Sequence, residues 1–139
     1  MPKVIPKKLK KISIEGTIDS TVKSTLRKID EIDNIDELIA LTHHTNPHIR
    51  LKALQQMCPC HTQENIEKFW KRMFEIVEDP ELGIRKQVLH NLCDGSPMEY
   101  EKEVMDAVEI LSHDSDKDLK RMCHKILANY RTTGKWNIM

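Results

Sequence analysis

One pattern recurs three times in this chain at a fixed step, and it leaves few folds open. An aliphatic residue followed by Arg or Lys, then apolar residues four apart, occurs as Ile49-Arg50 with Ala53 and Met57. It occurs again as Ile84-Arg85 with Val88 and Leu92, and as Leu119-Lys120 with Cys123 and Leu127. Each copy lies 35 residues from the next. Four-residue spacing lines one face of a helix. A period of this length marks a repeat array, in which a helix pair cannot bury its apolar stripe alone and stacks on its neighbours. Three rows of equivalent positions are therefore expected in the core: Ile49/Ile84/Leu119, Met57/Leu92/Leu127 and Leu41/Ile76/Leu111.

Capping signals divide the chain around this pattern. Residues 1–13 form a basic tail; the first twelve hold five lysines and no acid, with Pro2 and Pro6 opposing helix. The segment is either a solvated tail or an arm for an acidic partner, RNA or nuclear targeting, carried by Lys7-Lys8-Leu9-Lys10-Lys11. Residues 14–33 depart from the 35-residue pattern and read as an N-terminal capping helix over 18–32, with Ile18, Val22, Leu26 and Ile29 on one face and Asp19 or Ser20 as its cap.

Residues 34–130 hold three helix pairs. The first is expected at 35–42 and 47–58, with Asn34 and Glu37 as a capping box, Asn46 as the second cap and Pro47 at the first helical position. The second pair is expected at 63–78, capped by Thr62, and at 80–93, closed by Asp94-Gly95. The third opens on Ser96-Pro97-Met98-Glu99, read as another capping box, and its second helix covers 116–130. Residues 131–139 form a C-terminal tail after which little helix can continue past Gly134.

These residues resemble HEAT repeats: an acidic turn, an aliphatic-Arg pair, then apolar residues on the second helix. Asp79-Pro80 with Ile84-Arg85, Val88 and Leu92 is the best match. The first copy departs in having His44-Thr45-Asn46-Pro47 at the turn, and the third in having Lys120 for Arg. The resemblance implies an all-α right-handed superhelix, a short α-solenoid of about three helix pairs, that serves as a binding scaffold and carries no catalytic residues. An Asp in each turn would suit the start of the second helix, and the row Arg50, Arg85, Lys120 would pair with turn acids of the same or an adjacent repeat.

Composition narrows the function classes. Lys plus Arg total 22 and Asp plus Glu total 22, so the chain lacks the overall positive excess of a dedicated nucleic-acid binder. No apolar run approaches the roughly 20 residues of a membrane span, and no signal core follows the N-terminal lysines. An intracellular protein, cytoplasmic or nuclear, with reduced thiols is expected.

Candidate chemistry is thin. Cys58-Pro59-Cys60-His61, with His43, His44 and His48 in the same repeat, offers zinc-ligand types. It lacks the paired cysteine spacing of a zinc site, and Cys58 is equivalent to Cys93 on the apolar side of its helix. Cys123 shares a core row with Ala53 and Val88, which leaves Cys60 as the exposed thiol. His113-Asp114-Ser115 holds triad residue types, but neighbours in sequence do not meet in triad geometry; it reads as a turn. No metal, cofactor or catalytic activity is expected.

The side of the second helices opposite the core rows is the expected binding face. It comprises Lys52, Gln55 and Gln56, then Lys86, Gln87, His90 and Asn91, then Arg121, Met122 and Lys125. At helix-packing distances it spans about 30 Å. Its mildly basic, amide-rich character suits an acidic peptide or helix. Nucleic acid is the alternative, through Lys52, Lys86, Arg121, Lys125 and the N-terminal lysines. Met122 and Ile126 put apolar residues into otherwise polar rows, and Trp136, Ile138 and Met139 are expected to fold back over that end as a lid.

Overall fold

A computed structural model of the chain describes residues 18–57 and 66–139. The described residues are all helical, with no strand among them. Helix α1 spans Ser20–Ile29, and Asp19 caps it by accepting from the Val22 N–H at 2.8 Å. The first pair is α2 (Ile35–Leu41) and α3 (Pro47–Gln56). The Asn34 side chain accepts from the Glu37 N–H and the Asn46 side chain from the His48 N–H, with Pro47 where a missing donor costs nothing.

The second pair is α4 (Glu67–Glu75) and α5 (Leu82–Leu92). The first of these helices ends at Glu75, short of the expected 78, and the second starts at Leu82 where 80 was expected; residues 63–65 of the expected helix lie outside the described residues. Thr62, the expected cap of α4, lies outside the described residues, as do Cys58 and Cys60. Gly95, at φ 100°, takes the left-handed conformation just past α5.

The third pair departs from expectation at its start. A 3₁₀ turn at Met98–Tyr100 leads into α6 (Glu101–Leu111), and no side chain caps either element. Ser96 does not form the capping box, because its hydroxyl is engaged elsewhere. It donates to the Leu92 carbonyl and accepts from the indole N–H of Trp136, both at 2.6 Å. Helix α7 (Lys117–Thr133) is the longest; Asp116 caps it through the Leu119 N–H, and Gly134, at φ 73°, closes it.

Within each pair the two helices pack together. Between pairs α2 meets α4, α4 meets α6, and α3 meets α5, while α1 lies against α3. The two rows Ile49/Ile84/Leu119 and Met57/Leu92/Leu127 are buried throughout, as are Ile76 and Leu111; Leu41 is half-buried. Four-residue spacing on the second helices thus supplies one continuous core.

Candidate functional site

The charged turns are tied into a ladder. Arg50 sends Nε and Nη2 to the two carboxylate oxygens of Asp79 at 3.2 and 3.1 Å, and Nη1 to the carbonyls of His44 and Thr45. Thirty-five residues on, Arg85 repeats every bond. Its Nε and Nη2 reach Asp114 at 2.7 and 3.2 Å, and its Nη1 reaches the carbonyls of Asp79 and Pro80. Each arginine thus clasps its own turn and the turn of the following pair. The fork geometry that makes Arg bidentate on a carboxylate requires this residue type.

Each aspartate in turn accepts from a backbone N–H two residues on, Asp79 from Glu81 and Asp114 from Asp116, both at 2.9 Å. In the first turn His44 holds the equivalent position, and its Nδ1 accepts from the Asn46 N–H at the same 2.9 Å. The imidazole reproduces the turn-forming bond of the aspartates without their charge.

Asp114 belongs to this ladder, which confirms that His113-Asp114-Ser115 is a turn. Burial raises the Asp114 carboxyl, but hydrogen bonds from Arg85 and the Asp116 N–H, with the charges of Arg85 and Lys86, outweigh it and hold the group below its ordinary 3.8. A depressed carboxylate contributes stability above its unfolded-state value and loses it as pH falls through the folded-state value. The stability difference between the wild type and Asp114→Asn should therefore hold steady from neutrality to about pH 5 and shrink below about pH 4. Urea titrations across that window measure it. A difference that grows on acidification would contradict the sign.

The expected binding face is narrower than the sequence pattern implied. Two of its expected members, Asn91 and Lys86, are buried instead of facing solvent. Asn91 is 0% exposed; its Nδ2 donates to the Leu54 carbonyl at 3.2 Å and its Oδ1 accepts from Gln87. Lys86 is 6% exposed, with its ammonium 3.5 Å from the Asp116 carboxylate. Gln56 is half-buried and reaches back to the carbonyls of Asp30 and Ile32. The equivalent Ile126 is buried.

The cause is geometric. Helix α3 packs on its own partner and on α1, and α5 on its own partner and on α3, so the buried arc of each is wider than one stripe. The row Gln56, Asn91, Ile126 lies within that arc. A polar member there is satisfied by carbonyls of the preceding element, as buried polar groups must be.

Gln55, Arg121 and Lys125 remain exposed, while Lys52, Gln87, His90 and Met122 are half-buried. Lys52 pairs with Asp30 at 2.7 Å, Arg121 with Asp118 at 3.3 Å, and His90 lies 3.5 Å from Asp94.

The C-terminal tail folds back, as the lid expectation has it, but onto a different place. Trp136 is 1% exposed and sits 6.0 Å, ring to ring, from Tyr130. Its indole N–H donates to Ser96. Asn137 accepts from the N–H groups of Gly95 and Ser96 and donates to the Ser96 carbonyl. The Met139 N–H donates to the Cys93 carbonyl at 3.1 Å. The tail thus latches the α5–α6 connection. The pairing of Asn137 with Ser96 leaves no periodic signal in the sequence, since the two lie 41 residues apart.

Cys93 and Cys123 are buried. Burial, aided by the Asp114 charge, pushes the Cys123 thiol up to about 12. Neither should react with a thiol reagent in native buffer, and both should react once the protein is unfolded in urea. Mass spectrometry of alkylated peptides reads this directly; fast labelling of Cys123 in the folded state would contradict its placement.

Among the described residues no group of three or more His, Cys, Asp or Glu side chains is placed to hold a metal ion. No helix among them is long and apolar enough to cross a membrane. An open hollow of about 370 Å³ lies beside the second rung, lined by Val77, Pro80, Arg85, Ile110 and Asp114 among others. The Arg85 and Asp114 groups in it are already bonded to each other. No family model, curated protein or solved structure matches the chain.

Proposed function

We propose that the chain is a non-catalytic scaffold of the HEAT kind, a short right-handed α-solenoid that binds another protein inside the cell, in the cytoplasm or nucleus. The observation that carries the reading is the repeated rung. Arg50–Asp79 and Arg85–Asp114 use the same donors and acceptors at the same 35-residue step. Charged side chains that would otherwise be candidates for chemistry are bound into architecture, leaving the exterior for recognition.

The partner surface in this reading is the outward side of the second helices, now reduced to Lys52, Gln55, Gln87, His90, Arg121, Met122 and Lys125. Half-buried Leu51 and Met122 beside amides and cations offer the mixed surface that protein interfaces use. An acidic peptide or helix fits its charge. The nucleic-acid alternative on this same face loses Lys86 to burial and has Lys52 tied to Asp30.

The test is affinity capture from the native host with two variants. Gln55→Glu/Lys125→Glu alters the second-helix side, and Lys68→Glu/Lys71→Glu alters exposed first-helix positions. A partner lost only with the first variant supports the reading. A partner lost only with the second, or retained by both, removes that surface from it.

A further inference from the structure

The chain is neutral overall, yet its last stretch is not. Residues 119–139 contain Lys120, Arg121, Lys125, Arg131 and Lys135 and no acid. Lys117, Lys120, His124, Arg131 and Lys135 are exposed, and no ion pair among the described residues involves Lys117, Lys120, Lys125, Arg131 or Lys135. Three nearby carboxylates are paired with other cations, Asp114 with Arg85, Asp116 with Lys86 and Asp118 with Arg121, while Glu101 keeps its charge and accepts from the Tyr130 hydroxyl.

Helical geometry gathers these cations. At 3.6 residues per turn, Lys117, Lys120 and Arg131 fall within roughly 60° of one another, along about 21 Å of helix, with His124, whose Nε2 lies 3.2 Å from the Ser112 carbonyl oxygen, between them. This stripe is a different face from the second-helix groove. Its equivalents in the earlier pairs are Arg50 and Arg85, which clasp the next turn, and Leu54, Leu89 and Cys93, which are buried. It is the surface on which a fourth pair would lie. An exposed helix face needs polar residues for solubility, and interspersed signs would serve that purpose. A single sign asks for a further reason.

We propose that this end face of α7 docks on the phosphate backbone of double-helical DNA, without reading its sequence. A protein partner would want apolar or aromatic anchors. The exposed large apolar residues Ile18, Met98, Ile110 and Ile138 all lie off α7. A single strand would want exposed rings on which to stack bases, but Tyr130 is half-buried and Trp136 is buried. A second copy of the chain would bring His44, not an acid, to the rung position opposite Lys120. Duplex DNA presents a dense row of phosphates, and its major groove, about 12 Å wide, admits a helix where the deep, narrow groove of duplex RNA does not.

The experiment is fluorescence anisotropy of the full chain with a labelled mixed-sequence DNA duplex of about 20 base pairs, titrated at several salt concentrations. With about four or five cations engaged, affinity should fall roughly 150- to 500-fold between 50 and 200 mM salt. The variant Lys117→Ala/Lys120→Ala/Arg131→Ala changes exposed side chains, and circular dichroism checks that it folds. It should bind at least tenfold more weakly at 50 mM salt, with a log–log salt slope lower by about 2.7. Alanine at Lys7, Lys8, Lys10 and Lys11 should leave that lowering by the α7 variant intact. Equal binding of wild type and the α7 variant overturns the proposal. So does binding that vanishes only with the N-terminal lysines, or preference for duplex RNA or polyglutamate over the DNA.

Discussion

Arg85→Ala is expected to destabilise the protein by about 3–5 kcal/mol, the cost of stranding a largely buried charge. The Asp114 side chain is 8% exposed and that of Arg85 is 16%. Removing the guanidinium leaves Asp114 with its Asp116 N–H bond and little water, and it also frees the Asp79 and Pro80 carbonyls. Lys120→Ala, at the equivalent position of the third pair, should cost less than about 0.5 kcal/mol, because Lys120 is exposed and pairs with no carboxylate among the described residues. Replacing the whole rung, Arg85→Met with Asp114→Leu, should cost far less than Arg85→Ala alone, since an ion pair exchanged for apolar groups of similar size is often neutral. Urea denaturation of the four proteins decides the matter. If the single and double replacements cost the same, the penalty is not a stranded charge.

Trp136→Ala should cost a similar amount, about 3–5 kcal/mol, from the lost apolar transfer and the cavity left behind. Trp136→Phe keeps most of the volume and loses the bond to Ser96, so a smaller effect of about 1 kcal/mol is expected. In a Trp70→Phe background the emission of Trp136 should be blue-shifted and independent of protein concentration, because the indole is covered by its own chain. Deleting residues 135–139 should lower stability in the same measurement. Emission that is solvent-like when dilute and shifts only as concentration rises would mean a contact between molecules, and would remove the latch.

The parts legible in the sequence are those that repeat. Ile49, Ile84 and Leu119 declare their common role by spacing alone, and the arginine row pointed to turn acids because a 35-residue step carries one arrangement to the next. The caps at Asp19, Asn34 and Asn46 were readable for a similar reason: each acts within three residues of itself. The misreadings are long-range. Asn91 looks like a solvent-facing amide by helical angle, and only the packing of α3 against α5 places the Leu54 carbonyl over it. Ser96 reads as a cap until Trp136 arrives from 40 residues away and takes its hydroxyl. Local chemistry cannot announce a competitor that the tertiary fold delivers.

The rungs also have a direction. Arg50 and Arg85 each reach forward to the aspartate of the next turn, never back. A duplicate of residues 79–113 inserted before Asp114 would therefore find an arginine behind it and a carboxylate ahead, and both new joints would close. A duplicate of residues 44–78 in the same place would offer Arg85 an imidazole instead of a carboxylate, and that joint would fail. The array can be lengthened from its middle unit but not reordered, and His44 marks the unit that can only come first.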